Sequence, residues 1–261
     1  MLSSVLIAAL LVSGAHAANN PAPQARNSPE ASISIPAGTI LPISLPSLSS
    51  GKSRKGALIK ARIMQDVPLP DGEKIRRGSV VLGRVLDVTP STPGHPAALI
   101  LTFDILIQHG KNFPIVTSLR ALASMVEIDS AQIPYMGAGE SDVYDWLATT
   151  LVGGETAYGR GGPVASGNTI VGRAVSGGVL VNVSTQPGSK CRGDLDGNSA
   201  PQALWVFSSS ACGVYGIPHL DIRHAGRTDP VGQIVLSSDD GPVEIRGGSG
   251  ALLRVFPAAS P

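Results

Sequence analysis

The chain has 261 residues, with 20 Lys and Arg against 19 Asp and Glu, 31 Gly, 21 Pro and only 4% aromatic residues. An apolar content of 43% excludes a disordered chain, and basic residues without interleaved aromatics exclude a nucleic-acid binder. Glycine and proline together make up about a fifth of the residues, a usage that favours short strands and tight turns over long helices.

The chain opens with an apolar run from Val5 to Val12, too short to cross a bilayer, followed by Ser13, Gly14 and the small-x-small triplet Ala15-His16-Ala17. This is the pattern of a secretory signal (1–17) cleaved after Ala17, although Leu2, Ser3 and Ser4 supply no basic residue. No later run reaches the length of about twenty apolar residues that a membrane helix needs. A periplasmic or secreted protein is expected, with no transmembrane helix after cleavage. The polar tract 18–33 reads as a disordered linker.

Residues 34–122 read as a basic β-barrel-like domain, with eleven Lys and Arg against five Asp and Glu, a surplus of +6. Thr39, Leu41, Ile43 and Leu45 alternate with a parity that holds Pro42 and Pro46, so an edge strand is expected. Ala57, Ile59, Ala61 and Ile63 alternate with Leu58, Lys60, Arg62 and Met64, which gives one apolar and one largely basic face. Asp71-Gly72 signals a tight turn, and Ser79 to Val88, apolar on both parities, reads as a central strand. Leu99, Leu101, Phe103, Ile105 and Ile107 form the clearest alternating run, and Gln108-His109-Gly110-Lys111 is a turn into Phe113, Ile115, Thr117 and Leu119. Five or six such strands make a small closed or half-closed barrel.

Residues 123–160 carry one Arg against six acids and read as an acidic helical connector. Ser141 and Asp142 can cap a helix whose apolar positions Val143, Trp146, Leu147 and Leu151 lie three and four apart, and Gly153-Gly154 ends it. Strand patterning returns over 161–257, in Val179-Val181-Val183, Ala203-Trp205-Phe207, Leu220-Ile222, Val231 to Leu236, Val243-Ile245 and Ala251 to Phe256. This second β domain holds both cysteines, Cys191 and Cys212. An even count in an exported chain reads as one disulfide, which closes a loop worth about 3 kcal/mol. The expected fold is therefore mainly β, with two small β-barrel or sandwich domains joined by a short helical connector.

Ile35-Pro36-Ala37-Gly38-Thr39-Ile40-Leu41-Pro42, followed by Lys74-Ile75-Arg76-Arg77-Gly78-Ser79-Val80-Val81-Leu82-Gly83-Arg84-Val85, resembles the TrbI-type barrel domain of type IV secretion and conjugation machinery. The resemblance covers residues 35–86 and implies a β-barrel-like first domain in the cell envelope. A cleavable signal stands where that family retains an inner-membrane helix. The whole chain is also similar to a group of exported bacterial proteins, which adds a compartment and no activity.

Catalytic and metal motifs fail on spacing. His219, Asp221 and Arg223 share one strand parity while His224 falls on the other, so the two histidines diverge. Asp194-Leu195-Asp196-Gly197-Asn198 begins like a calcium loop but lacks the Glu that completes one. Ser49-Ser50-Gly51-Lys52 has Ser-x-x-Lys spacing without the accompanying Ser-Asp-Asn and Lys-Thr-Gly elements. No catalytic, cofactor or metal residue is assigned.

The function expected is that of an exported, non-catalytic scaffold, assembly or binding module of the envelope. Its partner would be an envelope protein or anionic envelope polymer, met first by Lys52, Arg54, Lys55, Lys60 and Arg62. The alternative is a polysaccharide- or cell-wall-binding protein or hydrolase. It would need Trp146, Trp205, Tyr135, Tyr158 or Tyr215 as open platforms, or Asp221 or Asp229 facing a second carboxylate.

Overall fold

The computed structural model describes residues 35–132, 148–159, 161–183, 200–227 and 230–256. The expected signal and linker, Tyr135, Ser141, Asp142, Val143, Trp146, Leu147, Cys191, residues 194–198 and Asp229 lie outside the described residues.

Among the described residues nine strands precede the first helix: β1 (Ile40–Ser44), β2 (Leu48–Ser49), β3 (Leu58–Ile63), β4 (Val67–Pro68), β5 (Lys74–Ile75), β6 (Val80–Thr89), β7 (Ala97–Gln108), β8 (Lys111–Pro114) and β9 (Val116–Ala123). After α1 (Met125–Ser130) come β10 (Ala148–Thr150), β11 (Thr156–Tyr158), β12 (Pro163–Ser166), β13 (Thr169–Val175), β14 (Gly178–Val181) and β15 (Gln202–Ala203). The chain closes with β16 (Gly213–Tyr215), β17 (Leu220–Arg223), β18 (Ile234–Ser238), β19 (Glu244–Ile245) and β20 (Gly250–Phe256).

The chain is mainly β, as expected, and its largest sheet runs β16-β9-β20-β1-β3-β6-β7-β18-β17, with β8 on β7. Only Ile115 separates β8 from β9. Because β8 pairs with β7 and β9 with β20, this sheet curls back on itself into a nearly closed barrel. The interior is filled by alternate residues of each strand, among them Leu41, Ile43, Ile59, Ile63, Leu99, Leu106 and Leu253. A second sheet, β10-β11-β12-β13-β14-β15, is a separate antiparallel meander.

β9 and β20 are buried along nearly their whole length on both faces. One face lines the barrel. The other, with Ala121, Leu252 and neighbouring Ile40, packs against Val164, Val181, Trp205 and Phe207 of the second sheet and its exit turn.

The large sheet draws strands from both expected β regions. β20 pairs with β1, β18 with β7, and β16 runs parallel to β9. Ile33–Pro261 forms one compact unit. The physical cause is the two-sided burial of β9 and β20, which only a strand between two layers can satisfy.

Three local expectations change. β1 is flanked by β20 and β3 and is not an edge; Pro42 is tolerated because β1 pairs with β3 only at Ile43 and Ser44, where β3 ends. The Pro42 carbonyl there accepts from Met64 N at 3.0 Å. In the connector, α1 is a short helix N-capped by Ser124, whose Oγ accepts from Glu127 N, and Leu151 follows β10 rather than ending a helix. Residues 204–207 form a turn instead of continuing β15, with Trp205 at φ 54°.

The turns follow the residues. His109 and Gly110 both have positive φ between the paired Gln108 and Lys111, a two-residue turn whose twist matches a hairpin.

Candidate functional site

Alternation along β3 buries Ile59, Ala61 and Ile63 in the barrel and turns Leu58, Lys60 and Arg62 outward. Leu58 is 74% exposed.

Its neighbours come from a bulge. Leu82 pairs with Ile105 and Gly83 with Phe103, so Asp104 is an extra residue that reverses the side-chain parity of β7. The alternating run from Leu99 to Ile107 therefore does not keep one face: Phe103 points inward, while Ile105 and Ile107 are only half-buried and Leu106 takes the interior place.

Two mixed rows cross three strands as a result. Lys60 is paired with Leu82, which is paired in turn with Ile105, and Arg62 with Val80, which is paired with Ile107. Arg84, opposite Leu58, is ion-paired with Asp104.

Lys52, Arg54 and Lys55 are exposed in the turn that enters β3, which is tied to β6 by Gly56 N donating to Val85 O at 2.8 Å. The five cations expected to meet a partner thus occupy one strand face and the turn beside it. None of them is ion-paired among the described residues.

At the far end of this face Asp66 closes the chain onto the β4–β5 hairpin. Its Oδ1 accepts from Arg77 N at 2.8 Å and its Oδ2 from the Lys74 ammonium. The Arg77 amide, and then Lys74, hold the carboxyl below its usual range. A carboxyl depressed in the folded state contributes stability above its unfolded pKa, and that contribution is lost as pH falls through the folded value. Asp66→Asn should therefore cost about 1 kcal/mol or less at neutral pH, because the site is half-exposed. The difference from wild type should shrink below a pH of about 3.9. Urea midpoints at the two pH values test this, and a difference that does not change with pH contradicts it.

The polar groups that join the two sheets gave little signal in sequence. Gln65 is 1% exposed; its Nε2 donates to Val179 O at 2.9 Å and its Oε1 accepts from Trp205 N at 2.6 Å. Continuing the inward parity of Ile59, Ala61 and Ile63 by one step would have found it. Gln202 Oε1 accepts from Ile40 N at 3.1 Å, which satisfies a donor of β1 that no strand meets.

Arg120 is the bulge residue of β9, skipped between Leu119–Leu253 and Ala121–Leu252. It donates to Ala211 O at 2.9 Å and Ser209 O at 3.1 Å. Burial, with Arg254 nearby, lowers its pKa to about 10. From the other side Glu155, also buried, accepts from Ser209 N at 2.8 Å and from the Ser209 hydroxyl. The buried side chains of Arg120 and Glu155 thus grip the same turn, one by its carbonyls and one by its donors.

The remaining candidates do not converge. Leu220 and Ile222 are buried and Asp221 and Arg223 exposed, so strand parity holds in β17. His219 and His224 both lie at positive φ at its ends. His219 sits 3.5 Å from Asp239 and 3.8 Å from Asp240, all three exposed.

Trp205 is 5% exposed, and the Tyr215 hydroxyl accepts from Cys212 N at 3.0 Å, so neither ring is an open platform. Tyr158, on the second sheet, is exposed. Ser50 belongs to a turn, where its hydroxyl accepts from Val243 N, and Ser49 and Lys52 share no helix. Among the described residues no three His, Cys, Asp or Glu side chains group as metal ligands, and no helix is long and apolar enough to cross a membrane.

No protein-family model, curated protein or solved structure matches this chain. The TrbI resemblance therefore rests on residues 35–86 alone.

Proposed function

We propose that the chain is an exported, non-catalytic binding module of the bacterial envelope that docks an anionic partner on the outer face of its barrel. The observation that carries this reading is the Asp104 bulge, which turns Ile105 and Ile107 outward in the same cross-strand rows as Lys60 and Arg62, with Leu82 and Val80 between them. A sheet face that is cationic at β3 and apolar at β6 and β7 suits a partner with acidic groups flanking an apolar strip. A role in a secretion or conjugation apparatus follows from the TrbI resemblance, and the cleavable signal supplies the address. A Cys191–Cys212 bond is part of the proposal, supported by Cys212 being buried and by the absence of free cysteine among the described residues.

The test is envelope fractionation at low salt of wild type and of Lys60→Glu/Arg62→Glu. The wild type should sediment with the envelope, and the double variant should move to the soluble fraction with an unchanged melting curve. Added salt should release the wild type as well, because exposed charges are screened beyond about 10 Å at 0.1 M. Equal envelope association of the two proteins would refute the docking face.

A further inference from the structure

A cleft of about 490 Å³ opens where the start of α1, the 216–220 segment and the 238–249 segment meet. Its size falls within the range of about 300–1,000 Å³ typical of small-ligand sites. One wall is apolar, built from Val126, Ile217 and Pro218, and Val126 is 61% exposed.

The rest of the lining carries charge of both signs. Glu244 and Arg246 are exposed and lie two residues apart, so their side chains leave the chain on the same side. Neither is ion-paired with the other or with any further described residue. Asp240 adds a second carboxylate, 3.8 Å from His219.

Ser249 also lines the cleft. It is 0% exposed, and its hydroxyl has no hydrogen-bond partner. A buried hydroxyl left unpaired is a standing cost that a hydrogen-bonding ligand removes. Met125, which packs on neighbouring Gly248, is unbranched and able to shift to admit one.

These features select among ligand classes. The two carboxylates oppose a phosphate dianion. The lining includes no aromatic platform for a sugar. An unpaired guanidinium calls for a carboxylate, which it binds bidentately, and an unpaired carboxylate calls for an ammonium.

We propose that the cleft binds a short peptide bearing both a free ammonium and a free carboxylate, with Glu244 and Asp240 meeting the ammonium and Arg246 the carboxylate. Strand rise places the Cα atoms of Glu244 and Arg246 about 6.6 Å apart. That matches the span of about 6–7 Å between the terminal nitrogen and carbon of an extended dipeptide. The peptide backbone meets the Ser249 hydroxyl, and small side chains rest on Val126 and Ile217. This site is separate from the β3 face and stands or falls independently of it.

Titration of the signal-cleaved protein with alanyl-alanine, its N-acetyl form and its C-terminal amide, followed by isothermal calorimetry, tests the assignment. Alanyl-alanine should bind saturably at millimolar concentration, and capping either end should weaken binding about tenfold, the loss of one charge-assisted hydrogen bond. Glu244→Gln combined with Asp240→Asn should abolish the penalty for acetylation alone, and Arg246→Gln the penalty for amidation alone. Ser249→Ala should weaken all three peptides. The three charged positions are exposed, so their variants should keep the wild-type melting temperature. Absence of saturable binding, or capping penalties that survive in the matching variant, would overturn the proposal.

Discussion

Gly83→Ala is expected to destabilise the protein by roughly 3–4 kcal/mol, at the upper end of what overpacking costs. Gly83 lies at the bulge that sets the parity of β7, and a Cβ there would stand 2.1 Å from Thr102 O and 2.7 Å from Phe103 Cδ1. The first of these neighbours is main chain in the adjacent strand, held by the ladders of β6 and β18, and it has no rotamer to change. The clash is relieved only by parting β6 from β7 or by moving the bulge. Moving it would exchange the faces of Ile105 and Leu106.

Urea unfolding measures the loss, with Gly51→Ala as the control. A Cβ at Gly51 meets nothing closer than 3.6 Å, and that variant should lie near wild type. If the two variants unfold within about 1 kcal/mol of each other, the close approach at Gly83 is not what shapes this sheet. Any folded Gly83→Ala protein should also lose envelope association, since the apolar part of the proposed docking face depends on the bulge.

Gln65→Ala should cost about 2–4 kcal/mol, and the damage should be localised. The substitution leaves Val179 O and Trp205 N, both in buried surroundings, without their partner, at about 1–3 kcal/mol for each unsatisfied group. It also frees Trp205 from a backbone conformation, φ 54°, that a bulky residue rarely adopts. Gly178 fits against that conformation so closely that a Cβ there would lie 2.6 Å from Trp205 Cα. The turn at 204–207 and the 178–181 strand should therefore loosen together, while β6 and β7 stay protected.

Hydrogen exchange of the variant reads this directly. Amide protection should fall in 178–181 and 203–207 and persist in β6 and β7. Uniform loss of protection across both sheets would mean that Gln65 does not act as a local staple between them.

Much of the first sheet was legible because alternation is local. Ile59, Ala61 and Ile63 point inward, Lys60 and Arg62 outward, and His109-Gly110 makes the turn, all as pattern and turn chemistry require. Ile105 and Ile107 were misread because a bulge breaks alternation without altering the residues that alternate. The signal that could have marked it is Gly83, a glycine within an otherwise β-branched and apolar strand. Gln65, Gln202, Arg120 and Glu155 were not recognised as structural, because a buried polar residue is identified by its distant partner. Gln65 lies 114 and 140 residues from the groups it binds.

The β class, the turns, the inward and outward faces of β3 and the cationic stretch from Lys52 to Arg62 are all readable from local pattern. Each depends on spacing within a few residues. Long-range packing sets the rest: β20 closes against β1 and β9, the two β regions share one compact unit, and Glu244, Arg246 and Ser249 line a common cleft with Val126 and Ile217. Those outcomes depend on which strands sit between two layers and on which distant side chains complete buried hydrogen bonds. Both are set by packing across the whole chain.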